Sequence, residues 1–431
     1  MTSPEAAESA PAPLWRGRAL ALVAIVLVAL NLRTAVAALS PIFDQIGEDV
    51  SLGSIGIGFL GTLPLICFAV VGLIAPALHR RFGLEPVVVA ALLAIVLGDV
   101  LRGLAVSYPM LAIGSAVTFA GMGVANILLP PLVKAYFPDR IGLLTSVYAT
   151  TLALGATVPP LVAVPVADSL GWRVSVGMWA VLALVAVTPM LMLAARARRV
   201  AQDARDARDA RDARRDRDAA ETGGDDDLDE PQAAARGRVR RSPLAWSLML
   251  MFAMTAFNTY ALFAWLPSIL IDIADATPAQ AGLLLSLYSV MGLPASLLIP
   301  VLAVRLRNVG VLIWTGVVLF ILGYGGLLLL PDQGTWLWVI LAGLGPLLFP
   351  LALVLINLRT RTHPGAVALS SFVQSFGYAV GALGPLLVGV LHQATGAWSA
   401  PLLLLLGTAI VMAVAGIVVA RPRMLEDQWH N

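Results

Sequence analysis

Three ionisable side chains lie inside otherwise apolar runs: Arg33, Asp99 and Arg102. A charge at the centre of an apolar helix costs about 2.5–3.5 kcal/mol on insertion scales, so each of the three needs a partner or a task. A guanidinium offers five donors in a planar fork that suits a carboxylate or another small anion. Arg33, flanked by Asn31 and Thr34, is the expected substrate ligand. Asp99 and Arg102 are three residues apart and share one helical face, so they read as a structural or coupling ion pair. At 1.5 Å per residue, Arg33 and Asp99 both lie about 10 Å from the same edge of their apolar runs, which leaves an Arg33–Asp99 pair geometrically open. Neutral polar groups also lie within the runs: Asn126, Asn258, Tyr260, Gln374 and Tyr378. Gln374 and Tyr378 are four apart and share a face. The expected binding set is Arg33, Asn31, Asn126, Asn258, Gln374 and Tyr378, with Asn258 and Gln374 the preferred neutral ligands.

Other chemistries find little support. Four histidines and one cysteine, Cys67, form no cluster with metal-ligand spacing. There is no GxxxxGK[ST] loop for a nucleotide and no nucleophile–base spacing for an enzyme. Neither cofactor nor metal is expected, and any transport must run on gradients.

The elements that hold these residues follow from hydropathy. The 431 residues are 59% hydrophobic and 13% charged, and mean hydropathy is +0.87. Most charges fall between 196 and 241, and the rest punctuate long apolar runs, the pattern of a chain solvated by lipid. A span needs about 20 apolar residues. Twelve runs qualify, here spans 1 to 12: 19–41, 54–78, 86–106, 109–134, 141–167, 173–195, 244–271, 279–304, 309–330, 335–357, 366–392 and 399–420. Arg16, Arg18, the run 19–30 and Ala35-Val36-Ala37 imitate a cleavable secretory signal. Asn31 and Arg33 interrupt that pattern, so the segment is read as span 1.

With the N-terminus inside, 25 of the 28 Lys and Arg residues fall on the cytoplasmic side. The opposite loops carry Asp44, Glu48, Asp49, Asp168, Asp272, Asp275 and Asp332. The expectation is a multi-pass protein of the inner (plasma) membrane with both termini cytoplasmic.

Domain boundaries follow from composition. Residues 1–13 and 424–431 read as cytoplasmic tails, the first disordered. Residues 14–195 and 244–423 form two six-helix halves. Between them, 196–243 carries thirteen Arg against twelve Asp and Glu and reads as a disordered linker. Its Ala-Arg-Asp spacing can support a transient helix continuing span 6. Its basic residues keep the loop inside, and no nucleic-acid partner is expected. The halves echo each other at an offset of 225: Lys134 with Arg359, Ser146 with Ser371, Pro160 with Pro385, Leu161 with Leu386 and Gly171 with Gly396. Both halves start inside, so the repeat is parallel. That all-α arrangement of twelve helices is similar to the major facilitator fold, in which substrate sits between the halves near the midplane.

Several local sequences carry a closer resemblance. Span 1 ends Leu30-Asn31-Leu32-Arg33-Thr34 and is followed by Ser40-Pro41. Span 7 contains Ala264-Trp265-Leu266-Pro267-Ser268-Ile269-Leu270. Span 10 ends Asn357-Leu358-Arg359-Thr360-Arg361-Thr362. Span 11 runs from Leu369 through Gln374-Ser375-Phe376-Gly377-Tyr378 to Gly384-Pro385-Leu386. Over about 14–423, outside the linker, the chain resembles the cyanate/nitroimidazole porter (CynX/NimT) branch of the major facilitator superfamily. The resemblance implies a secondary transporter for small anions or small heterocycles, and a monomer. It also implies that spans 1, 4, 7 and 10 line the cavity, placing Arg33, Asn126 and Asn258 there and Asp99 more peripherally. The superfamily's loop after span 2 departs here: from Gly72 to Gly83 the basic pair Arg80-Arg81 is present and the acidic residue is missing.

The leading expectation is therefore a porter moving a small anion or weak acid, with protons as the possible coupling ion. A second is a drug or nitroimidazole exporter with an apolar cavity, in which Arg33 is structural. A third, of another class, is a membrane sensor that uses the linker as its output.

Overall fold

Proline and glycine decide where the long apolar helices bend, and the bends decide which faces meet. The computed structural model describes residues 18–215 and 239–428. The N-terminal tail 1–13 and residues 216–238 of the expected linker lie outside the described residues. Among the described residues, twelve helices are long and apolar enough to cross a membrane, and all regular structure is helical. Their starts and ends match the twelve expected spans to within a few residues, apart from span 6. That helix runs from Trp179 to Arg215, so residues 196–215, expected as disordered linker, are helical. Alanine favours the helix, and the Arg and Asp spaced three and four apart support it.

Four spans are interrupted. Span 6 is preceded by a short helix, Trp172–Gly177, and breaks at Met178. Span 8 breaks at Met291, three residues before Pro294. Span 10 passes through a 3-10 turn, Gly345–Leu347, that contains Pro346. Span 11 breaks at Ala382, three residues before Pro385. Each proline lacks the N–H that would bond the preceding turn, which accounts for the last three breaks.

Among the described residues two large hydrophobic cores form, one in each half, and a small third cluster of Leu65, Tyr260 and Ala382 bridges them. The halves meet through spans 2 and 11 and through spans 5 and 8. Both meetings use a glycine against a proline carbonyl. A methyl group on Gly58 of span 2 would lie 2.8 Å from the Pro385 oxygen of span 11, and one on Gly282 of span 8 would lie 2.6 Å from the Pro160 oxygen of span 5. Pro160 and Pro385 are the two prolines related by the 225 offset. Gly171 and Gly396, also so related, end spans 5 and 11 with φ of +86° and +63°, a conformation that L side chains resist. The repeat is thus present in backbone geometry as well as in sequence.

Gly58 and Gly282 both lie near the arginine-poor end of the molecule, the end opposite Arg80, Arg81, Lys134 and Arg359. The halves are pressed together there. The Thr62 hydroxyl also crosses the interface at 2.8 Å to the Ala382 carbonyl.

At the arginine-rich end the C-terminal tail is tied down. The Glu426 carboxylate accepts from the backbone N–H of Arg361 (3.0 Å), the backbone N–H of Thr362 (3.1 Å) and the Thr362 hydroxyl (3.0 Å). Burial pushes this carboxyl up, but the donors outweigh it and hold it below the ordinary value of 4.5. A depressed carboxyl contributes stability that is present above its unfolded value and is lost as pH falls through the folded one.

Two predictions follow from these contacts. Amide hydrogen exchange at Arg361 and Thr362 should accelerate in Glu426→Gln at neutral pH, and in the wild type only below the ordinary glutamate range; equal protection in the variant would show that the tail is not held by this carboxylate. Separately, Gly58→Val combined with Gly282→Val should force the arginine-poor end apart. Thiol labelling of Ser40→Cys, in a Cys67→Ser background, should then rise from near zero, because Ser40 is only 3% exposed in the closed interface.

Candidate functional site

Span 1 carries Arg33 to the centre of the molecule. Its Nη1 donates to the Tyr260 hydroxyl of span 7 at 2.6 Å, which joins the two halves. Tyr378 of span 11 is the other group that interacts electrostatically with this guanidinium. Tyr378 is itself held by Phe252, 5.0 Å away edge to face, and packs beside Tyr260 and Ala382. Among the described residues Arg33 has no carboxylate partner. Among the described residues this half-buried cation donates one hydrogen bond, to a phenol, which leaves four of its five N–H donors for water or an anion.

The Arg33–Asp99 pair left open by depth does not form. Asp99 instead accepts from Arg102 Nη1 at 3.0 Å and from the Thr118 hydroxyl of span 4 at 3.1 Å. Arg102 Nη2 donates to the Ala35 carbonyl of span 1 at 2.9 Å, and its guanidinium lies 5.7 Å from the Phe119 ring centre. Both side chains of the pair are fully buried inside the N-terminal half. The pair ties spans 1, 3 and 4 together and stands apart from Arg33.

The other expected ligands divide. Gln374 and Tyr378 share a face, and Gln374 Nε2 donates to the Ser370 hydroxyl at 2.7 Å. Asn126 is half-buried, and its amide makes no hydrogen bond among the described residues. Asn31 is fully buried, two residues before Arg33 and so on the far side of span 1; its Nδ2 bonds the Leu27 carbonyl at 2.8 Å. Asn258, a preferred ligand from sequence, does not meet Arg33. Its Nδ2 donates to the Thr408 hydroxyl of span 12 and to the Met254 carbonyl, both at 2.6 Å. Tyr260 takes the place beside Arg33, because two residues turn a helix by about 200° and put Asn258 and Tyr260 on opposite sides. Tyr260 was visible in sequence as a polar group in span 7, but rotation about the helix axis was not.

Toward the arginine-poor end, Tyr260 also lines a small apolar cavity with Leu60, Phe119, Phe263 and Ser40. The buried Ser40 hydroxyl has no hydrogen-bond partner there. Among the described residues no group of three or more His, Cys, Asp or Glu is placed to hold a metal ion.

Comparison with known proteins bears on the family and the fold. Residues 21–382 match the Major Facilitator Superfamily. The chain is 31% identical over 415 residues to the 2-nitroimidazole transporter of Escherichia coli (strain K12), covering 95% of this chain and 97% of that one. It is 26% identical over 380 residues to the cyanate transport protein CynX of the same strain, covering 87% and 90%. In fold it is similar to a bacterial homolog of the human lysosomal transporter Spinster, with a TM-score of 0.72 at 15% identity, covering 96% of this chain and 99% of that one.

The two arginines should respond differently to loss. Asp99→Ala strands the buried Arg102 charge and should lower stability by about 3–5 kcal/mol, the range for breaking one partner of a buried pair. Arg33→Ala removes one hydrogen bond and strands no ion, so it should lower stability by no more than about 0.5–1.5 kcal/mol. Thermal unfolding of the purified variants, compared side by side, measures both.

Proposed function

The chain belongs to the Major Facilitator Superfamily, in the cyanate/nitroimidazole porter branch, and on that premise we propose that it is a gradient-driven porter for a small anion or weak acid, anchored by Arg33. The observation that carries this reading is the unpaired guanidinium at the junction of the halves. A second arginine shows the alternative: Arg102 is paired with Asp99 and buried in one half. Among the described residues Arg33 has no ion-pair partner, so its charge is available to a ligand.

In this reading the anion lies between Arg33, Tyr260 and Tyr378, with Asn126 and Gln374 as further polar groups facing it. The guanidinium supplies the charge, and the phenols and amides supply orientation. Asp99 and Arg102 act as the structural pair that fixes the pose of span 1. The arginine-rich end faces the cytoplasm of a plasma membrane, by the bias of Lys and Arg. The pressed contacts at Gly58 and Gly282 then form the outer closure, and substrate exchanges with the cytoplasmic side in this state. Separation of those contacts and closure of the opposite end completes the cycle.

One observation favours a second reading. One relative is a 2-nitroimidazole transporter, and Leu60, Phe119 and Phe263 beside Tyr260 are apolar surroundings that suit a neutral heterocycle better than an ion. There Arg33 would hold Tyr260 in place and carry no ligand charge.

Counterflow in proteoliposomes separates the two readings. The panel is cyanate, nitrite and short carboxylates beside neutral nitroimidazoles, with wild type and Arg33→Ala in parallel. The anion reading expects exchange of at least one anion and its loss in the variant. Exchange confined to neutral heterocycles, unchanged in Arg33→Ala, would reject it in favour of the second reading.

A further inference from the structure

A second basic feature lies at the arginine-rich end, far along the chain from Arg33. The turn between spans 8 and 9, the end of span 10 and the end of span 12 enclose a cavity of about 500 Å³. Each segment contributes one arginine to its lining: Arg307, Arg359 and Arg421. Leu355, Leu358 and Val309 complete its apolar side.

Arginines at this end of a membrane protein need no ligand in general, because they mark orientation and sit in water. Arg307 and Arg421 are exposed and fit that description taken singly. Arg359 does not. It is 8% exposed, its Nη2 makes one 3.3 Å bond to the Val419 carbonyl, and its buried Nε has no partner. A buried guanidinium with unused donors is costly unless an acceptor meets it.

The nearby acids do not supply that acceptor. Glu426 is spent on the amides of Arg361 and Thr362, and Asp427 pairs with Arg361 at 2.8 Å. Asn308, beside Arg307, uses its side-chain oxygen on the Gly310 N–H at 2.9 Å. Among the described residues none of Arg307, Arg359 and Arg421 has an ion-pair partner. Three like charges around one cavity fit a ligand with several anionic oxygens, and phosphate offers them.

Exposed side chains next to the lining residues in sequence indicate which phosphate. Val304, Leu306, Val311 and Leu358, all within a few residues of the lining arginines, are 67%, 37%, 55% and 38% exposed. A soluble phosphate has no use for that aliphatic surface, whereas an acyl chain does. We infer that this cavity holds the phosphate headgroup of an anionic phospholipid from the leaflet at the arginine-rich end, with its acyl chain along these aliphatic side chains. Such a lipid would tie together the ends of spans 8, 10 and 12, all in the C-terminal half. The inference does not depend on the substrate of the Arg33 site.

Native mass spectrometry of the full chain in detergent tests this. The probes are phosphatidylglycerol, phosphatidylcholine with the same acyl chains, and inorganic phosphate. One phosphatidylglycerol should be retained where phosphatidylcholine is not, and inorganic phosphate should not displace it. Arg307→Gln and Arg421→Gln, both exposed and so compatible with folding, should each weaken retention about fivefold, the worth of one surface basic residue. Arg359→Gln should weaken it at least as much. Arg80→Gln with Arg81→Gln, at the same end of the other half, should leave it unchanged. Equal retention of the two lipids, or indifference to Arg307→Gln and Arg421→Gln, would overturn the proposal. Displacement by inorganic phosphate would make the site one for a soluble anion and overturn the lipid assignment.

Discussion

The arrangement depends on a positive charge held between two apolar halves without a negative one. Arg33 donates one hydrogen bond to Tyr260 and faces Tyr378. A phenol oxygen can accept, but it does not neutralise a guanidinium. In a medium of low dielectric the remaining donors must find water or an anion. The two large cores stay within their own halves, and only the small cluster of Leu65, Tyr260 and Ala382 joins them beside Arg33. Separate cores in turn let the halves move as bodies, which alternating access needs.

Asp99 and Arg102 show the same chemistry put to another use. Their ion pair is buried and braced by the Thr118 hydroxyl and the Ala35 carbonyl, though Asp99 Oδ2 and Arg102 Nε have no hydrogen-bond partner. It joins spans 1, 3 and 4, and Ala35 lies two residues beyond Arg33. The buried pair thereby fixes the pose of the helix that presents the free arginine. Trp265 has a comparable role in the other half: its Nε1 donates to the Pro385 carbonyl at 2.8 Å, at the point where span 11 approaches Gly58. Rigid halves and a narrow, small-residue contact between them form one design, because a rocking motion needs surfaces that separate without leaving side chains interlocked.

Much of this was legible in the sequence, for definite physical reasons. Lipid demands long apolar runs, so hydropathy alone located all twelve spans. The parallel repeat was carried by residues whose backbone demands are strict, Pro160 with Pro385 and Gly171 with Gly396, and these sit in equivalent places in the two halves. What could not be read was rotation about a helix axis and the choice among partners at equal depth. Asn258 and Tyr260 are two residues apart, and only packing decides which one faces the centre. Asp99 had two arginines within reach, and it pairs with the one on its own helix, where no interhelical distance has to be met. The extension of the span 6 helix to Arg215 lay in the Ala-Arg-Asp spacing, but composition pointed toward a linker without structure.

The central claim is that the Arg33 guanidinium is free to hold an anion, and equilibrium binding tests that without the complications of a transport cycle. The measurement is a thermal-stability titration of purified wild type and Arg33→Gln with cyanate, nitrite and formate at constant ionic strength. A ligand that binds the folded state raises its stability in proportion to the logarithm of occupancy. The account predicts a saturable rise in melting temperature for at least one anion in the wild type and none in Arg33→Gln. Equal responses in the two proteins would place the anion elsewhere and leave Arg33 as a structural partner of Tyr260.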